Sequence, residues 1–179
     1  MRIGLMVGAT EGPDGTLDGL VAAAKRYEAA GFDNLWMANI FGLDAINALG
    51  IVGRETSRIG LGTAVVPTYP RHPVAIAQQA LTTQAASKGR FSLGIGLSHK
   101  IVIENMFGFS YEKPARHMKE YLEVLAPLCR GEGAAFQGEQ YQVAAQLQVP
   151  GATRVPILVA ALGTVMLKLT GRLADGTIT

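Results

Sequence analysis

Short apolar runs alternate along this chain with longer stretches whose apolar residues recur at helical spacing. Continuous apolar runs are typical of strands buried on both faces, and spacings of three and four residues are typical of helices packed by one face. The runs predict strands that start near residues 2, 32, 58, 90, 155 and 175, with helices between most of them. Such strand–helix units favour a parallel sheet, either an open doubly wound sheet or a (β/α) barrel.

Local signals mark where several helices begin. Thr16 and Asp44 can act as N-caps, because their side-chain oxygens can accept hydrogen bonds from early backbone amides. Pro73 and Pro114 suit the first helical position, where a missing amide hydrogen costs nothing. Pro127 comes late in its helix and is expected to kink or end it.

Two segments depart from the strand–helix rhythm. Residues 98–113 are predicted to form a long loop after the fourth strand. Residues 131–151 contain two short β-type runs on either side of Gly138, which predicts an inserted hairpin.

Composition and charge exclude several classes of protein. The 179 residues carry a formal net charge of +2 without a basic stripe, so no nucleic-acid partner is expected. Cys129 is the single cysteine, which excludes a disulfide framework and a metal site built from cysteines alone. No apolar run approaches the ~18 residues that span a membrane. The N-terminus lacks the layout of a signal peptide, and we expect a soluble cytoplasmic protein.

The carboxyl ends of the strands are where ligands bind in either architecture. Here these ends carry mostly small, apolar or uncharged residues. Ser98 and His99 are neighbours, but no G-x-S-x-G elbow surrounds them, and three scattered histidines do not predict a metal site. Strand ends with such residues suit a planar organic cofactor that brings its own reactivity.

Glycines at two strand ends allow more than one interpretation. Gly94 and Gly96 begin like a dinucleotide-binding fingerprint, but His99 stands where its third glycine would be. We favour the alternative that these glycines, which have no side chains, allow a ligand or a neighbouring strand to approach a barrel strand closely. The amides at Gly163 and Thr164 could bind a phosphate, or could form a plain strand-to-helix turn.

Four motifs carry a resemblance to a known family. They lie at 31–36 (GFDNLW), 63–73 (TAVVPTYPRHP), 89–96 (GRFSLGIG) and 173–176 (LADG). Together they make the chain, from Arg2 onward, resemble the luciferase-like flavin family, and most closely its coenzyme F-420-dependent branch. The resemblance implies a (β/α)8 TIM barrel, usually dimeric, with an inserted segment after the fourth helix that matches residues 131–151.

The resemblance also implies a chemistry and a set of site residues. Members bind a flavin or deazaflavin at the mouth of the barrel, and the F-420 branch moves a hydride between the deazaflavin C5 and a substrate carbon. A cis, non-proline peptide bond is expected between Ala64 and Val65, in a bulge that supports the cofactor ring. The implied catalytic residues are Asn39 and His99. The implied cofactor-binding residues are Ala64, Val65, Ser98, Leu162, Gly163 and Thr164.

One residue departs from the pattern of the F-420 branch, and two histidines are given no part in the chemistry. Ile40 replaces a histidine that is common in the branch, so no acid–base role is assigned to the second strand. His72 is interpreted as fixing the entry of the third helix. His117 lies among surface-type neighbours and is given no role.

The function expected from the sequence is therefore an F-420-dependent oxidoreductase acting on a small organic substrate. One alternative is an FMN-dependent monooxygenase of the same fold. A second is a truncated, non-catalytic relative that binds a flavin or only dimerises. A homodimer is expected. Its interface could be built by alanines, leucines and a valine of the second and third helices, or these residues could be buried by ordinary packing of the helices on the sheet; they are Ala45, Ala48, Leu49, Val52, Ala77, Ala80 and Leu81.

The length of the chain is itself informative. A complete barrel takes about 250 residues. This chain supplies about five and a half strand–helix units and the hairpin, so residues 1–179 are predicted to form one barrel domain that is incomplete at its C-terminal end.

Overall fold

A computed structural model describes residues 1–8 and 15–179 of the chain. Its strands are β1 (Gly4–Val7), β2 (Asn34–Met37), β3 (Gly60–Thr63), β4 (Val66–Pro67), β5 (Phe91–Gly96), β6 (Ala134–Gln137), β7 (Gln142–Ala145), β8 (Ile157–Ala160) and β9 (Gly176–Ile178). The main sheet runs in the order β1-β2-β3-β5-β8-β9, with β4 also paired to β5. All of its pairs are parallel, and the six predicted strand starts are confirmed to within two residues. The sequence also predicts a loop over residues 8–15, after the first strand, and this prediction falls largely on residues 9–14, outside the described residues.

Within the described residues, five α-helices connect these strands. They are α1 (Leu17–Ala29), α2 (Ala45–Glu55), α3 (Pro73–Ala86), α4 (Pro114–Cys129) and α5 (Thr164–Leu173). The predicted N-caps are confirmed, since Thr16 accepts from the amide of Gly19 and Asp44 from that of Asn47. Pro127 stands two residues before the end of α4, as its missing donor predicts.

One face of the sheet packs against the helices and forms the core. Its strand residues include Leu35, Met37, Leu61, Phe91, Leu93, Ile95, Ile157 and Val159, each at most 2% exposed. The opposite face carries glycines where its neighbours come close. A Cβ on Gly62 would overlap the Trp36 ring, and one on Gly94 would overlap the carbonyl oxygen of Thr63. This geometry supports the interpretation of Gly94 as a residue that allows a neighbouring strand to approach closely.

The inserted segment is an antiparallel hairpin of β6 and β7, as predicted. Its tip is fixed to α4 by one carboxylate. Glu120, which is 7% exposed, accepts hydrogen bonds from the amides of Glu139, Gln140 and Tyr141, at 3.2, 2.7 and 3.2 Å. Gly138 is required beside it, because a Cβ there would collide with Glu120. The hairpin therefore belongs to the same packed unit as α4.

Three expectations need correction. The segment 98–113 is not an irregular loop throughout, because a π-helix occupies Val102–Met106. His117 is not among surface neighbours; it is 3% exposed, because the inserted hairpin covers its side of α4. The residues of α2 and α3 considered for a dimer interface follow the alternative interpretation, because each is at most 4% exposed in a single chain and packs into its own core.

The described helices include none that is both long and apolar enough to cross a membrane.

Candidate active site

A β-bulge interrupts the sheet at the end of β3. Gly62 pairs with Ser92, whereas the next paired residue, Val66, pairs with Ile95. The chain advances four residues from Gly62 to Val66, while β5 advances three from Ser92 to Ile95. The segment between β3 and β4 therefore contains one extra residue, which is a β-bulge. The hydroxyl of Thr63 bridges the gap: it donates to the carbonyl of Gly94 and accepts from the Gly94 amide, both at 2.8 Å. Thr63 thus replaces the backbone ladder where the bulge breaks it.

The bulge has the backbone geometry that the family resemblance implies. The peptide bond between Ala64 and Val65 is cis. The side chain of Val65 lies directly over Gly96, where a Cβ would come within 2.7 Å of Val65 Cγ2 and 3.3 Å of Ala160 Cβ. The glycine at 96 therefore makes room for the bulge.

A cleft of about 720 Å³ opens at the carboxyl ends of β2, β4 and β5. It is lined by Asn39, Ile40, Phe41, Pro67, Pro70, Arg71, Ser98, His99, Val102 and Phe107. This volume lies within the range of sites for organic ligands, about 300–1,000 Å³. Apolar side chains predominate, with a few polar groups among them, as is usual where a planar organic molecule is oriented by a small number of hydrogen bonds.

Asn39, a predicted catalytic residue, contributes to this lining. Its Oδ1 accepts a hydrogen bond from the amide of Ala45 at 3.0 Å, at the start of α2. The amide oxygen thus fixes the orientation of the side chain, and the NH₂ group keeps two donors without an acceptor among the described residues. Asn39 can therefore present hydrogen-bond donors to a ligand in the cleft.

Ser98 and His99, which follow β5, line the same cleft. Ser98 has a left-handed backbone (φ 62°), which turns the chain away from β5. Its carbonyl accepts a hydrogen bond from the hydroxyl of Tyr111 at 3.2 Å. His99 is exposed at the rim, and its carbonyl accepts the first amides of the helical segment that follows.

The remaining predicted residues lie outside the lining of this cleft. Ala64 and Val65 form the bulge beside it, and Pro67 of the same segment reaches it. Leu162, Gly163 and Thr164 lie after β8, at the exposed N-terminus of α5. The structure therefore brings Asn39, Ser98 and His99 together and leaves the β8 group in a separate position along the same edge of the sheet.

An aromatic stack that the sequence did not indicate lies behind the cleft wall. The rings of Tyr69 and His117 are parallel, with centroids 3.9 Å apart, and Tyr111 stacks on Tyr69 at 5.3 Å. Tyr111 in turn holds the carbonyl of Ser98. The stack therefore connects α4 to the segment that forms one wall of the cleft. The sequence shows tyrosines at 69, 111, 121 and 141, but their spacing does not indicate that their rings lie close together in the fold.

His117 is held at both ring nitrogens. Nδ1 lies 3.1 Å from Oε1 of Gln140 in the hairpin, and Nε2 lies 2.9 Å from the hydroxyl of Thr68. The amide oxygen of Gln140 can only accept, so Nδ1 donates and a neutral ring accepts at Nε2 from Thr68. Burial lowers the pKa of His117, partly opposed by the Gln140 hydrogen bond and by the charge of Glu120. The ring is therefore a neutral structural link.

Two tyrosines of this cluster are also far from ionising. Burial raises the pKa of Tyr69 to about 12, with a further contribution from Tyr111. Burial likewise raises the pKa of Tyr141 to about 12. The hydroxyl of Tyr69 is buried and has no hydrogen-bond partner within residues 1–8 and 15–179. These groups are thus unsuited to acid–base work near neutral pH.

The chemical inventory of the cleft is limited. His99 is its one imidazole among the described residues, and no activated nucleophile lies beside it. Within residues 1–8 and 15–179, no three histidine, cysteine, aspartate or glutamate side chains converge as metal ligands would. The cleft can bind and orient a ligand, but redox chemistry there would need a cofactor.

The comparisons with known proteins decide the family. The family model for luciferase-like monooxygenases matches residues 1–179. The chain belongs to this luciferase-like family. An F-420-dependent glucose-6-phosphate dehydrogenase of Nakamurella multipartita is 33% identical, over 100% of this chain and 56% of its own length. A 5,10-methylenetetrahydromethanopterin reductase of Archaeoglobus fulgidus is 32% identical, over 86% of this chain and 46% of its own length.

A solved structure shows the same fold. The oxygenating constituent of 3,6-diketocamphane monooxygenase from Pseudomonas putida, a type II Baeyer–Villiger enzyme in complex with FMN, superposes with a TM-score of 0.81 at 15% identity. It covers 100% of this chain and 57% of its own. The luciferase-like TIM-barrel fold is thereby confirmed, with six of the eight barrel strands present in the main sheet. The chain spans about half the length of the curated relatives it matches.

Proposed function

We propose that this luciferase-like chain belongs to an F-420-dependent oxidoreductase, which transfers a hydride between the deazaflavin and a small organic substrate. The observation that carries the proposal is the apolar cleft of about 720 Å³ at the carboxyl ends of the strands, flanked by the bulge at Ala64 and Val65. It provides room for a planar ring, and its lining contains no activated nucleophile among the described residues. The identity of 33% to an F-420-dependent enzyme supports the deazaflavin over FMN.

The described residues fit such a cofactor chemically. The carbonyl, amide and hydroxyl groups around the cleft can make directed hydrogen bonds to the edge of a ring, and Ile40, Phe41 and Phe107 can cover its faces. When bound, the deazaflavin would supply the carbon that gives or accepts the hydride. The contribution of the chain is to bind, to orient and to exclude water.

The position of each residue around the cleft suggests its role toward the cofactor or the substrate. Asn39 donates from its NH₂ group to the ring or to the substrate, because its oxygen is already used by Ala45. Ser98 offers its hydroxyl from the segment after β5, and the exposed His99 beside it can hold or deliver a proton to the substrate. Ala64 and Val65 support the ring from behind.

The group after β8 has a separate role in this proposal. The amides at Gly163 and Thr164, at the start of α5, have no acceptor in the part of the chain that the structure describes, and Leu162 beside them is 83% exposed. A helix N-terminus favours a phosphate. We assign these residues to the phosphate of the cofactor.

The homodimer remains part of the proposal, but it must use a different surface from the one expected. A groove between the outer sides of α2 and α3 is lined by Asn47, Gly50, Ile51, Gln78, Gln79, Thr82, Thr83 and Ala86. Ile51 in this groove is 43% exposed. Sedimentation of wild type and of Ile51→Glu would test it: the proposal requires a dimer that the charge weakens, and a monomeric wild type would contradict it.

Transfer of a labelled hydride tests the reaction. The chain is mixed with reduced F-420 carrying deuterium at C5 and with a panel of carbonyl, imine and activated alkene compounds. Deuterium on a substrate carbon is the expected result. Oxygen incorporation with reduced FMN, and none of this labelling, would instead establish a monooxygenase. Binding without either reaction would favour a non-catalytic relative.

A further inference from the structure

Among the described residues, Arg71 is the one permanently charged side chain in the lining of the cleft. It follows the bulged segment and precedes α3, and its side chain is 22% exposed. The other polar lining residues are Asn39, Ser98 and His99. Because no carboxylate lines the cleft among the described residues, the charge at this position influences which ligands can enter.

The guanidinium is firmly placed but only partly used. Its Nη2 donates to Oδ2 of Asp44 at 2.7 Å. Its backbone is fixed as well, because the hydroxyl of Tyr121 donates to the Arg71 carbonyl at 2.9 Å. Nε and Nη1 have no acceptor among the described residues, and neither is enclosed as a buried unpartnered atom. A fixed guanidinium thus keeps accessible donors at the cleft.

Asp44 does not fully neutralise this cation. Its other oxygen, Oδ1, accepts from the amide of Asn47 and caps α2 at 3.0 Å. The carboxylate is therefore shared between Arg71 and the partial positive charge at the start of α2. The full charge of Arg71 and the partial charge at the start of α2 together exceed the charge of one carboxylate, which leaves a net positive site in the lining of the cleft.

We infer that Arg71 is an anchoring residue for an organic anion, which presents a carboxylate or a phosphate to Nε and Nη1 while its apolar body lies against Ile40, Phe41 and Phe107. Guanidinium groups bind these anions through paired, charge-assisted hydrogen bonds, which makes arginine suited to this recognition. The inference deepens the proposed function, since it rests on the same cleft and names a class for its ligand. The anion is carried either by the substrate or by the cofactor.

Calorimetric titration of the chain with naphthoate and naphthamide tests the inference. The two probes share a planar apolar body and differ in charge. Wild type is expected to bind naphthoate about tenfold or more tightly than naphthamide, the discrimination that one charge-assisted hydrogen bond provides. Arg71→Met should remove this preference while the affinity for naphthamide changes little. Arg71→Lys should retain part of it, because the charge remains.

Lys100→Met is the matched control. It removes one exposed positive charge close to His99, outside the lining, and should leave the preference for naphthoate intact. Thermal unfolding of each variant, followed by circular dichroism, confirms that the compared chains are folded. Equal affinity of wild type for both probes would overturn the inference. So would a loss of both probes together in Arg71→Met, or an equal effect of Lys100→Met.

A second arm separates the two sources of the anion. Wild type and Arg71→Met are titrated with F-420 and with the deazaflavin chromophore that lacks the phosphate and the glutamate tail. If Arg71→Met weakens F-420 but not the chromophore, the anion belongs to the cofactor. If both bind as in wild type while naphthoate discrimination is lost, it belongs to the substrate. Failure of F-420 to bind wild type, with naphthoate discrimination intact, refutes the proposed function alone.

Discussion

The imidazole of His117 lies flat on the phenol ring of Tyr69, with 3.9 Å between the ring centroids and 1° between their planes. The two residues come from different elements: Tyr69 follows β4, and His117 lies in α4. The same imidazole contacts Gln140 of the inserted hairpin. The hairpin, the helix and the wall of the cleft are thus connected through one neutral ring.

Replacing His117 by phenylalanine separates stacking from hydrogen bonding. The ring of His117→Phe can still lie on Tyr69, but Thr68 and Gln140 lose their buried partner. The free energy of unfolding should fall by about 1–3 kcal/mol, the cost of an unsatisfied buried polar group. Urea denaturation measures it. His99→Phe is the control at an exposed position, and a change there as large as in His117→Phe would contradict this account.

The same residue makes stability depend on pH. Burial lowers the pKa of His117 in the folded chain below its ordinary value of 6.5, so between these two pKa values the unfolded chain binds a proton that the folded chain does not. Stability should therefore decrease as pH falls below about 6.5 and level off below the folded pKa. The stability difference between wild type and His117→Phe should shrink over this window. Urea titrations between pH 8 and 4 measure it, and a difference that is constant with pH would contradict the assignment.

Glu120 should control the attachment of the inserted hairpin. Glu120→Ala removes the acceptor of three consecutive backbone amides, and we expect a loss of about 2–4 kcal/mol of stability, since hydrogen bonds to charged groups contribute about 1.5–3 kcal/mol. Hydrogen exchange of the amides of residues 139–141 should accelerate more than exchange in β5. Glu123→Ala on the same helix is the control, because no hydrogen-bonded hairpin amide depends on it. Unchanged exchange at 139–141 would refute the prediction.

Thr63 should maintain the bulge through its hydroxyl. Thr63→Val retains the shape of the side chain but leaves the amide and carbonyl of Gly94 without their partner in a fully buried position. A stability loss of about 2–4 kcal/mol is expected, together with weaker cofactor binding. Thr63→Ser keeps the hydroxyl and should recover most of both. If Thr63→Ser were as damaging as Thr63→Val, the methyl group rather than the hydroxyl would be responsible.

Much of the fold could be predicted because its determinants are local or periodic. Buried parallel strands leave continuous apolar runs, and Thr16, Asp44 and Pro73 mark helix starts by their own chemistry. His72 was interpreted as fixing the entry of α3, and its Nδ1 does accept from the amide of Val74 at 3.3 Å. These features depend on a few neighbouring residues, so the sequence alone contains them.

What the sequence could not indicate depends on contacts between distant segments. His117 lies between Arg116 and Met118 on a helix with several charges, and only the inserted hairpin makes its position buried. The pairing of Arg71 with Asp44 joins residues 27 positions apart. The function of Asn39 in capping the start of α2 was missed for the same reason, although its place in the cleft was anticipated.

Binding of the cofactor tests the central claim most directly. The purified chain is titrated separately with F-420 and with FMN, and the quenching of ligand fluorescence gives each dissociation constant. Asn39→Ala is the variant within the cleft, and Gln78→Ala is the control variant outside it. The account predicts that F-420 binds more tightly than FMN, and that Asn39→Ala weakens it while Gln78→Ala does not. Tight binding of FMN without binding of F-420 would contradict the account.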